Sequence, residues 1–106
     1  MKTLPPDLHL TRRTPEFTAA TIPPGLLHDH RTKPGVWGVI HVLEGALEYH
    51  ILEPMEERLL LTPGRPGIVE PAMKHQVMPL GPVRFLVEFH VRPDVVGNRG
   101  DAPAGD

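Results

Sequence analysis

Apolar residues recur with the alternation of half-covered strands through VWGVIHVL (residues 36–43) and ALEYHIL (46–52). Shorter stretches of the same character lie at 16–20, 25–29, 58–61, 67–69, 75–79 and 83–91. Glu44-Gly45 stands between the first two segments and reads as a tight hairpin, and Thr62-Pro63-Gly64 closes the run LLL as a turn. Segment 53–57 carries three carboxylates and a proline, the composition of a solvated hairpin loop. With 14 prolines and 10 glycines in 106 residues, hardly any window is long enough for a stable helix. Eight short strands predict an all-β protein closed as a sandwich or barrel.

Composition narrows the possibilities. The length fits one domain, 1–106, with its folded part at about 10–92 and a loose tail from Pro93 that has little to bury; the RGD within that tail is incidental. Hydrophobic residues at 40% and charged residues at 23% are the proportions of a chain with a packed core. So small a barrel gains from covering one face with a second copy, which predicts a homodimer. The net charge of -2, with scattered basic residues, argues against nucleic-acid binding. No apolar run reaches the length of a membrane span and the start MKTLPPDLHL has no signal-peptide core, so the expected location is the cytoplasm. The chain has no cysteine and no serine, which removes disulfides, thiolate metal sites and the usual hydrolase nucleophiles.

Seven histidines change the picture, because imidazole is the commonest metal ligand among side chains. His28 and His30 flank Asp29, and residues two apart on a strand share a face, so both rings can converge on one ion; a surface strand with polar side chains outward has the same spacing. Glu88 lies mid-strand among Arg84, Leu86 and His90, opposite a face of Phe85, Val87 and Phe89. It either turns inward as a carboxylate ligand or outward to a basic partner. His9, His50 and His90 read as solvent-facing or rim residues, Trp37 as packing, and Lys33 as a loop lysine within possible reach of an anion.

Residues 64–75, GRPGIVEPAMKH, carry a more specific signal. The second cupin motif runs glycine, five residues, proline, one residue, glycine, two residues, histidine. Gly64 and His75 keep its outer spacing, while Glu70 and Ala72 stand at the inner proline and glycine positions. The first cupin motif is met by His28-Asp29-His30 and the closing Gly45, with Gly38 where its glutamate would stand and a longer gap after His30. The stretches HRTKPGVWGVIHVLEGALEY, VEPAMKHQV and VRFLVEFH resemble the small TehB-like and YeaR-like cupin domains associated by name with tellurite resistance. The matching features are His30, Thr32, Lys33, Gly35, Trp37, Gly38 and His75.

That resemblance implies a single cupin barrel, of the jelly-roll or double-stranded β-helix type, with His30 and His75 as the leading metal ligands. Glu88 and His28 are the further candidates. The cupin register turns Gly38, Ile40 and Val42 into the barrel and His41 to the outer or dimer face. Zinc is the first choice of ion, with iron, manganese or nickel as alternatives, and the ligand would be a small molecule or oxyanion. Larger TehB proteins join such a domain to a methyltransferase, which this chain is too short to contain. The residues do not choose between a sensor, a stress-response binding protein and an enzyme. A metal-free scaffold or dimerisation module remains the alternative, favoured by Gly38 at the glutamate position.

Overall fold

The computed structural model describes residues 4–27, 30–31, 33–53 and 55–92, with the main chain alone at 30 and 31; the expected tail and His28 lie outside the described residues. Among the described residues seven strands form one continuous antiparallel sheet: β1 (His9–Arg13), β2 (Phe17–Thr18), β3 (His30–Arg31), β4 (Trp37–Glu53), β5 (Glu57–Leu61), β6 (Gly67–Val69) and β7 (Lys74–Val91). Two long strands organise it. The first half of β4 pairs with the second half of β7, from Trp37↔His90 to Gly45↔Val83, and the second half of β4 with the first half of β7, from Leu47↔Pro79 to Glu53↔Lys74.

The shorter strands extend each half. β6 pairs beside the first half of β4, and β1 and β2 pair beside the second half of β7. β5 joins the second half of β4 as a hairpin, and β3 lies against the start of β7. The two halves enclose a core of Ile40, Val42, Leu47, Tyr49, Ile51, Leu61, Val69, Val77, Phe85, Val87 and Phe89. Two halves of one sheet traced by the same pair of bent strands are the double-stranded β-helix arrangement, so the chain has the cupin-type all-β fold.

Gly45 is not a hairpin turn. A reversal there would pair segment 36–43 with 46–52, whereas both segments pair with β7 and the ladder shifts register between Val42 and Glu44 and between Gly45 and Leu47. Gly45 bends β4 instead, at φ +83°, and its partner strand bends at Gly81 (φ +97°) and Pro82. A Cβ on Gly45 would overlap the Pro82 carbonyl oxygen, so the two bends nest at the barrel corner.

The described part of segment 25–29, residues 25–27, also departs from the strand expectation. Residues Pro24–Leu27 form a 3-10 turn, started by Leu26 N–H donating to Pro23 C=O at 2.9 Å, because Pro23-Pro24-Gly25 offers few donors for a ladder. The Thr62–Arg65 turn is as expected, with Arg65 N–H on the Thr62 carbonyl at 2.8 Å. Among the described residues no helix is long and apolar enough to cross a membrane.

Candidate functional site

Among the described residues His75 is the buried polar side chain, at 2% exposure in an apolar core. The turn before it sets its ring. Met73 N–H donates to the Glu70 carbonyl at 3.2 Å, and Ala72, at the motif's inner glycine position, takes φ +60°. This left-handed conformation is why glycine suits that position.

The Met73 carbonyl lies 3.1 Å from His75 Nδ1, and a carbonyl can only accept. Nδ1 therefore carries the proton, and in the neutral ring Nε2 holds the lone pair, the arrangement of a metal-binding or hydrogen-bond-accepting histidine. Tyr49 packs edge-on to the ring with centroids 5.7 Å apart. Its hydroxyl donates to the Ile68 carbonyl at 3.0 Å and touches Met73 Sδ at 3.4 Å. Burial first, then the charges of Glu70 and Glu57, hold the phenol well above its ordinary range, so it stays a neutral donor.

His75 opens on a barrel cavity of about 190 Å³, walled by Phe17, Leu26, Ile40, Val77, Phe85 and Val87 and bounded also by Arg12, Gly38, Val69 and Phe89. The expected register holds here, since Gly38 and Ile40 face the cavity while His41 is on the outer face. His30 is paired directly opposite His75 in the β3–β7 main-chain register. The two positions named for metal binding are therefore neighbours on adjacent strands.

Glu88 takes the second of its two expected placements. Val87 and Phe89 line the cavity, so the alternation turns Glu88 to the other side of the sheet, opposite Arg13 on β1 and Val39 on β4. There Arg13 Nη2 donates at 2.8 Å, His41 Nε2 lies at 3.0 Å and His90 Nε2 at 3.4 Å. Desolvation is the largest single influence on this carboxyl and raises its pKa. The Arg13 bond, the His41 bond and charge, and the His90 bond together outweigh it and hold the group below its usual range.

His90 and His50 are more covered than rim histidines, with His50 Nε2 2.8 Å from Glu56. His9, Lys33 and Trp37 take the surface and part-buried positions expected of them. Among the described residues no three His, Cys, Asp or Glu side chains converge as a metal cage. Of the histidines expected as ligands, His75 is the one whose side chain is described, and it lines the cavity.

Arg12 is the site residue that sequence reasoning missed. A regular β1 running from Leu10↔His90 would put Thr11 opposite Phe89 and turn Arg12 outward. The ladder shifts between Leu10 and Arg12, so Arg12 is opposite Phe89 and Arg13 opposite Glu88. One extra residue thereby sends the first arginine to the cavity and the second to the surface. Nothing in the composition of HLTRR marks that bulge.

The relatives agree with this architecture. YeaR of Escherichia coli K12, an uncharacterised protein, is 28% identical over 106 residues, spanning 91% of this chain and 88% of its own. A crystal structure of a protein from E. coli K12 superposes with a TM-score of 0.80 at 25% identity, over 88% of this chain and 99% of that one. TehB from Haemophilus influenzae superposes with a TM-score of 0.75 at 26% identity, over 82% of this chain but 32% of TehB. The TehB-like domain pattern matches residues 12–87, from the inward arginine of β1 to the cavity wall of β7, and the chain belongs to the TehB-like domain family.

Proposed function

We propose that the chain is a small-molecule-binding cupin whose pocket is built around a divalent ion, zinc in first place, held by His75 and His30 with His28 as a further donor. The observation that carries this reading is the buried His75 ring in the lining of a mostly apolar cavity, its Nδ1 against the Met73 carbonyl so that Nε2 holds the lone pair a metal would need. The facing position of His30 in the strand register supports it. With few protein donors, such an ion would keep open positions and act as a Lewis acid toward a bound small molecule or oxyanion. A stress-related role, tellurite among the oxyanions, a homodimeric state and a cytoplasmic location belong to the same proposal.

Elemental analysis of the untagged protein, purified without added metal, tests it beside His30→Ala and His75→Ala. Near-stoichiometric metal that falls in both variants is the expected result. No metal, even after reconstitution with zinc, iron, manganese and nickel, would leave a metal-free binding barrel. That second reading is favoured by Gly38 at the motif glutamate position and by the outward placement of Glu88.

A further inference from the structure

We infer that Arg12 is an anion anchor inside the barrel and that the natural ligand is a short-chain organic carboxylate, its charged end on Arg12 and its apolar body against the cavity wall. The inference rests on the pocket proposed above and names the class of molecule it takes.

The first observation is an unmet charge. Arg13, Arg58, Arg84 and Arg92 each meet a carboxylate at the protein surface. Arg12 meets none among the described residues, and its Nε is buried without an acceptor. Its guanidinium rests on the Phe89 ring, 5.0 Å from the centroid, in the wall of the cavity. An aromatic face under the plane of the guanidinium offsets part of the lost hydration but accepts no N–H hydrogen bond. The planar fork is still without the oxygen pair that fits it, and a carboxylate supplies that pair.

The second observation is the bulge. Without the extra residue in β1 the inward position would fall to Thr11, and Arg12 would lie on the solvent side. Bulges re-aim side chains at the rims of barrels, and here the re-aimed side chain is a cation facing an apolar interior.

The third is the lining. Thr14 bounds the cavity, but its hydroxyl is committed to the Pro15 carbonyl and to Val87 N–H. Among the described lining residues the guanidinium of Arg12 supplies the positive charge, and Phe17, Leu26, Ile40, Phe85 and Val87 supply hydrocarbon. A space of about 190 Å³ equals roughly six water volumes, enough for a carboxylate with a few carbons. An inorganic oxyanion would leave the apolar walls without a partner.

Titration of the full-length protein with sodium butyrate and with neutral butyramide, at matched ionic strength, tests the inference by calorimetry. Saturable butyrate binding, absent for butyramide, weakened about tenfold or more in Arg12→Gln and intermediate in Arg12→Lys, is the expected result. Arg12→Gln should keep the parent's melting temperature without ligand and its metal content, which separates loss of the anchor from loss of the fold. Equal affinity of butyrate and butyramide, or undiminished butyrate binding in Arg12→Gln, would overturn the anchor. Tighter binding of nitrate or sulfate than of butyrate would overturn the organic class. Failure to bind butyrate in a protein that holds metal through His75 sinks this inference and leaves the metal site standing; failure of both sinks the pocket as a whole.

Discussion

Replacing Gly45 by alanine perturbs the barrel corner at the point where β4 and β7 bend together. Two effects add. An L-residue held at φ +83° costs about 1–2 kcal/mol relative to glycine. The new Cβ overlaps the Pro82 carbonyl oxygen and lies 3.0 Å from Val83 Cα, and both are backbone atoms that cannot swing aside as a side-chain tip can. Forcing them apart disturbs the Gly45↔Val83 pairing and costs about 1–3 kcal/mol in the manner of an overpacked core. The total is about 2–5 kcal/mol.

Gly64→Ala is the matched control, since Gly64 has φ +89° but nothing within 4 Å of an added Cβ. It carries the conformational part alone, about 1–2 kcal/mol. Urea unfolding followed by Trp37 fluorescence and far-ultraviolet circular dichroism measures both. In thermal unfolding the Gly45 variant should melt roughly 8–40 °C lower and the Gly64 variant roughly 4–16 °C lower, at about 4–8 °C per kcal/mol for a domain of this size. Equal losses would refute the nested corner and return Gly45 to the role of an ordinary turn glycine.

Other perturbations read other parts of the molecule. Tyr49→Phe removes the donor to the Ile68 carbonyl and should lower unfolding free energy by about 1–2 kcal/mol with an unchanged urea slope. Glu88 has a folded-state pKa below its ordinary 4.5, so it stabilises the native state above that value and loses the contribution as pH falls through the folded value. Glu88→Gln should therefore be less stable than the parent at pH 7, with the gap closing as pH falls through the lowered folded-state value; a gap that persists once the carboxylate is fully protonated would show that its charge is not the source. His75→Ala should lose bound metal in elemental analysis while keeping the β-type circular dichroism spectrum.

The strand alternation and the histidine spacing carried much of this architecture on their face. The segments at 36–43 and 83–91 show which residues share a side, and the structure puts Ile40, Phe85, Val87 and Phe89 within. His75 was legible because a motif with fixed spacing leads to it. Gly45 misled because a glycine at a bulge and a glycine in a turn have the same local signature; what separates them is the partner strand, 38 residues away at Val83. The alternation of its own strand leaves Glu88 two possible faces, and only Arg13 opposite it on β1 decides between them. Arg12 was invisible for a related reason: a single inserted residue reverses the side on which every later residue lies, and no side-chain pattern records the insertion.

The long β4–β7 ladder also shapes how the chain reaches this state. The β4–β5 hairpin closes over a short loop and can form on the microsecond scale, but each half of β4 must then wait for a segment far along the chain. Non-local pairing of this kind is slow, typically milliseconds to seconds in all-β domains. The His30↔His75 pair rests on β3, which is two residues long and has no sheet partner among the described residues other than β7. The pocket therefore belongs to the last stage of assembly: until β7 is in register, neither Arg12 nor His75 has a cavity wall to sit in.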